Sequence, residues 1–187
     1  MKRTIARVVV VALAMTFAVS MASAQALNSG AQTIALNAKL TESLTLTLSA
    51  NAVNFNLAAG SAANAGSTTI TATTAWTLQP GRTAVGVYAY FANSAAALTD
   101  GAGDNIPSSA FFIADNGGAS TALTNSVTFS GANAGLQLAN VAITGANKSS
   151  SRTDQMAFNI NLTGGTLPQL PAATYTGTLN IQAQATP

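Results

Sequence analysis

About ten short runs in which apolar residues alternate with small or polar ones predict an all-β protein of the sandwich or barrel type. Gly, Pro and Asn turn signals separate the runs. The final run shows the pattern well: across residues 172–185, Tyr175, Leu179, Ile181, Ala183 and Ala185 share one face of a strand. Beyond residue 24, no apolar stripe follows the period of a helix. No repeat of fixed length recurs, which argues against a solenoid or a propeller.

The first 24 residues read as a separate segment. Lys2, Arg3 and Arg7 precede an apolar stretch over residues 8–19 broken only by Thr16, and Ala22-Ser23-Ala24 supplies the small residues of a cleavage site before Gln25. The stretch falls short of the roughly 20 residues that cross a bilayer. The expected organisation is therefore a secretory signal peptide over residues 1–24 and a single domain over residues 25–187. Such a chain is expected to be exported and to keep no membrane span after cleavage.

Three of the seven basic residues leave with the signal segment, so Lys39, Arg82, Lys148 and Arg152 remain beside five acids, a net charge of −1. Four scattered cations cannot track a phosphate backbone, which excludes nucleic acid as a partner. Charged residues make up 6% of the chain, against about a quarter in ordinary globular proteins. Hydrophobic residues reach 48% and alternate, the reverse of a disordered composition. With no cysteine, stability has to come from core burial and ladder hydrogen bonds, to which neighbouring subunits could add.

Taken in order, residues 34–48 hold Ile34, Leu36, Ala38, Leu40, Leu44, Leu46 and Leu48 on one face, with Glu42 the one interruption. They form either one long strand or two strands meeting near Thr41-Glu42-Ser43. Val53, Phe55 and Leu57 mark a shorter strand, and residues 58–67 a loop. Residues 68–79 keep Ile70, Ala72, Thr74, Trp76 and Leu78 in phase. Gln79-Pro80-Gly81-Arg82 then has Pro and Gly where a turn needs a fixed and a positive φ. In residues 83–92, Val85, Val87, Ala89 and Phe91 lie opposite Tyr88 and Tyr90, and the two runs are expected to form a hairpin. The Ala-rich start of residues 92–105 suits a helical turn leading into an Asp-Gly loop. Strands over 106–114 and 119–129 flank Asp115-Asn116-Gly117-Gly118, where Asn-Gly is a strong hairpin signal. Strands over 136–144, 155–163 and 174–185 complete the series. The expected core contains Phe55, Trp76, Val85, Val87, Phe91, Phe158, Ile160, Leu179 and Ile181.

Chemistry finds little purchase here. Without histidine or cysteine the chain lacks the commonest general base, the usual zinc ligands and a thiol nucleophile. No Gly-x-Ser-x-Gly elbow is present. The five acids, Glu42, Asp100, Asp104, Asp115 and Asp154, fall in turns or singly, so no enzyme and no cofactor are expected. Asp100, Asp104 and Asn105 offer oxygen ligands to calcium but lack EF-hand spacing, and turn chemistry is the favoured explanation. Trp76 is in phase with the core, whereas Tyr88 and Tyr90 face away from it and are the candidate exposed or intersubunit aromatic pair.

The run Leu170-Pro171-Ala172-Ala173-Thr174-Tyr175-Thr176-Gly177-Thr178-Leu179-Asn180-Ile181 resembles the closing strand of bacterial chaperone–usher pilins and of spore-coat-U-like secreted domains. Residues 33–48 are similar to the alternating N-terminal segment of those families. The resemblance implies an immunoglobulin-like antiparallel β-sandwich, handled by a periplasmic chaperone, passed to an usher and assembled into a surface fibre. On that reading Ile34, Leu36, Ala38 and Leu40 form a subunit-pairing strand that fills a neighbour's groove. The alternative for this segment is pairing within its own domain. For the whole chain the alternatives are a secreted carbohydrate-binding module, with aromatics around a groove, and a hydrolase with converging carboxylates.

Overall fold

The computed structural model describes residues 29–187, so the expected signal segment, residues 1–24, lies outside the described residues. A first unit ends at Lys39, and Leu40–Pro187 form the second. Residues 29–39 carry no strand or helix, and their side chains are exposed.

The unit Leu40–Pro187 is all-β, with antiparallel ladders throughout. Its larger sheet runs in the order β1 (Ser43–Leu48), β3 (Ile70–Thr77), β10 (Ser149–Ile160), β7 (Phe111–Asp115) and β8 (Thr121–Ala122). A two-residue strand, β2 (Asn64–Ala65), also pairs with β10. The second sheet is three-stranded, β11 (Asn180–Thr186), β4 (Ala84–Tyr90) and β9 (Gly135–Ala142). A small ribbon joins β5 (Leu98–Thr99) to β6 (Asn105–Ile106).

Alternation decides which side chains each strand buries. On β3 every second residue from Ile70 to Trp76 is buried, and Trp76 donates its indole N–H to the Asn147 carbonyl at 2.8 Å. On β10, Asp154, Met156, Phe158 and Ile160 point inward. On β4, Val85, Val87 and Ala89 do so, while Tyr88 and Tyr90 take the other face. These inward residues of both sheets form the core, in which Phe111 meets Phe91 edge-on at a centroid distance of 5.2 Å. A smaller cluster of Trp76, Leu78 and Val85 is closed by Leu44 and Ala185.

Several expectations need correction. The turn at 79–82 is present, with Gly81 at φ 103°, but β3 and β4 leave it into different sheets and do not form a hairpin. Their apolar faces meet across the core instead of lying side by side. The long alternating run yields a strand only from Ser43, because residues before it find no partner ladder. Residues 53–57 keep the expected inward face yet form only one bridge, Phe55 to Gly66. Residues 92–105 contain the β5–β6 ribbon where a helical turn was expected. The final strand begins at Asn180, and before it Thr176 makes a single bridge to Thr99. Of the expected core, Trp76, Val85, Val87, Phe91, Phe158 and Ile160 are buried, whereas Phe55, Leu179 and Ile181 are only partly so. The Asn-Gly turn is present, with Asn116 and Gly117 at φ of 51° and 71°, but the strands it joins are shorter than expected: Phe111–Asp115 pairs with only Thr121–Ala122 in place of strands over 106–114 and 119–129.

Candidate functional site

The three half-buried core residues share a cause. Each sheet ends in an open edge, β1 in the larger and β11 in the smaller. At one end Leu44 and Ala185 close the gap between those edges. Toward the other end the chain continues as residues 50–57 on one side and 172–179 on the other, and each makes only isolated bridges. A groove of about 1080 Å³ opens between them. Val53, Phe55 and Leu57 line one wall, Tyr175 and Leu179 the other, and Phe91, Phe111 and Phe158 reach it from the core. Phe111 anchors this aromatic floor, 5.8 Å from Phe55 and 6.0 Å from Phe158 between ring centroids. Apolar side chains face this open trough, and the backbone along its two rims is paired only at isolated positions.

The residues of the sequence-predicted pairing strand belong to the first unit, except for Leu40, which begins the second. Ile34, Leu36 and Leu40 are 85%, 90% and 83% exposed, and Ala38 is exposed with them. Exposed apolar side chains in strict alternation are unusual for a segment without a partner. Glu42, which interrupts the stripe, forms an ion pair with Arg82 at 2.8 Å and so fixes the start of β1 against the 79–82 turn. The Arg82 guanidinium holds the Glu42 carboxyl below its ordinary range.

Tyr88 and Tyr90 lie together on the outer face of the three-stranded sheet, both half-buried. Sequence reasoning missed their third member: Phe129 sits with its centroid 6.0 Å from each ring. It comes from a turn after β8, and no alternation pattern ties it to β4. Tyr90 donates to Gln182 Oε1 at 2.8 Å, and Gln137 donates to the Tyr88 hydroxyl at 3.5 Å.

A polar cluster on the inner side was also missed. Asp154 is fully buried and ion-paired with Arg152, whose Nε donates to Oδ2 at 2.8 Å. The Asn116 amide donates to Asp154 Oδ1 at 3.2 Å and to Asp115 Oδ2 at 3.1 Å, while Asp115 Oδ1 is buried without a partner. Burial, and then the nearby Asp154 carboxylate, push the Asp115 carboxyl above its ordinary range. These acids do converge, but Asp154 is sealed from solvent and neither lines the groove.

The Asp100 loop is a turn by its hydrogen bonds: Asp100 Oδ1 accepts from the N–H groups of Ala102, Gly103 and Asp104 at 2.8, 3.1 and 3.0 Å. Among the described residues no group of three acids could hold a metal ion, and no helix is long and apolar enough to cross a membrane. No family model, curated protein or solved structure matches the chain.

Proposed function

We propose that this chain is an exported, non-enzymatic structural subunit whose two sheets form an immunoglobulin-like sandwich short of one strand. Residues 33–40 of another copy supply that strand, and repetition of the exchange builds a pilus-like surface fibre. Before assembly a periplasmic chaperone covers the groove, and an usher receives the subunit. The observation that carries this reading is the match between a deficiency and a surplus. Leu40–Pro187 leave an apolar groove between two open edges, and the preceding segment holds alternating apolar side chains that are almost fully exposed. Burying each Leu or Ile side chain contributes about 1.5–3 kcal/mol, and the added strand also satisfies backbone groups along the rims.

The test is truncation. A chain beginning at Thr41 should stay folded by circular dichroism, fail to polymerise, and bind a synthetic peptide of residues 33–40. The same peptide with Asp at the positions of Leu36 and Leu40 should not bind, because unpaired charge would enter an apolar trough. A truncated chain that unfolds, from a parent that is monomeric at every concentration, would show the segment to be internal.

A further inference from the structure

We propose that the outer face of the three-stranded sheet binds uncharged saccharide chains, with Tyr88 as the stacking platform and the Gln137, Gln182 and Gln184 amides as its hydrogen-bonding rim. This site lies on the side of β4 opposite Val85, Val87 and Ala89, which face the core. It therefore stays available whether or not the groove is filled, and goes beyond a purely structural role.

The position of the Tyr88 ring carries the inference. A Cβ placed on Gly86 would come within 2.7 Å of Tyr88 Cε2 and Cζ. The ring thus lies down along its own strand over Gly86, which it buries, instead of standing away from the sheet. The ring is half-buried there, so part of it stays open to solvent, and Phe129 stands beside it at 76°. A recumbent ring suits the C–H face of a pyranose, which stacks on it while its hydroxyls point sideways. Covering a strand glycine also steadies the sheet, but that role does not call for the groups around the ring. Tyr90 and Phe129 extend the aromatic surface, their planes inclined by 34°.

Cross-strand register places Gln182 beside Tyr88 and Gln184 beside Gly86 on β11, with Gln137 beside Tyr88 on β9. Tyr90 engages the Gln182 carbonyl. Among the described residues the Gln182 amide N–H groups and the whole Gln184 amide have no partner, which leaves donors and an acceptor for vicinal hydroxyls. No Asp, Glu, Lys or Arg occurs in β4, β9 or β11. A face without charge matches a neutral glycan and offers no cation to a carboxylated or sulfated one. Repeated along a fibre, such a face gains avidity from multivalency alone.

Affinity electrophoresis of the full chain tests the proposal, in native gels containing hydroxyethylcellulose, xylan or galactomannan, with alginate and heparin as anionic comparisons. At least one neutral gel should retard the protein and neither anionic gel should. Tyr88→Ala and Gln184→Glu should each weaken that retardation tenfold or more, with the Gln184→Glu melting curve unchanged. If Tyr88→Ala fails to fold, Gln184→Glu decides alone, since Gln184 lies on an edge strand outside the core. The proposal is overturned if no neutral gel retards the chain, if Gln184→Glu binds as well as the parent, or if Tyr88→Ala abolishes self-association instead, which would make the face a contact between copies.

Discussion

Asp115 shows how one side chain can set a pH response. Its Oδ1 is buried and unpaired, and its neighbour Asp154 is a buried carboxylate held by Arg152. Burial and this like charge raise its pKa, so the folded chain holds the proton to higher pH than the unfolded chain does. The stability this contributes is complete at and below the ordinary carboxylate range and is lost as pH rises through the raised value. Asp115→Asn cannot titrate there. Its melting temperature relative to the parent should therefore climb as pH rises out of the ordinary carboxylate range and then level off. Thermal melts across that range check it, and parallel curves for the two proteins would rule the mechanism out. None of this was legible beforehand. Asp115 and Asp154 lie 39 positions apart by their numbering, and only the pairing of β7 with β10 brings them together.

The elements divide by how local their determinants are. Strands β3 and β4 and the turn of residues 79–82 were legible, because alternation and the Pro-Gly pair act within a few residues. Their assignment to one hairpin was not, since a turn's residues do not say whether the next strand pairs beside the last or crosses to the opposite sheet. The Asn116-Gly117 turn does specify a hairpin, through two consecutive positive φ angles. Asn116 also ties this turn to the buried cluster: its Oδ1 accepts from the Gln155 N–H at 2.9 Å. Gly117→Ala places a Cβ at φ 71° and should cost about 1 kcal/mol. In a domain of this size that lowers the melting temperature by about 2–4 °C. An unchanged melt would mean that the turn relaxes without strain. For the aromatic face, Tyr88 and Tyr90 were legible from phase, whereas Phe129 was not, because it arrives from an irregular segment.

At the scale of the whole molecule, an all-β chain without disulfides leaves part of its own core open. Phe55, Leu179 and Ile181 read from the sequence as core and lie half-buried at the groove. Ile34, Leu36 and Leu40 read as strand and stand exposed. Both departures follow from one cause if the missing strand belongs to another copy. The absence of cysteine allows a direct measurement. Two single variants, Leu36→Cys and Leu179→Cys, are mixed under oxidising conditions and run on a non-reducing gel. Strand exchange predicts a mixed disulfide between the two variants that exceeds either variant's homodimer and disappears when excess peptide of residues 33–40 is added. A mixture that remains folded yet yields no mixed disulfide, or one indifferent to the peptide, would contradict the account.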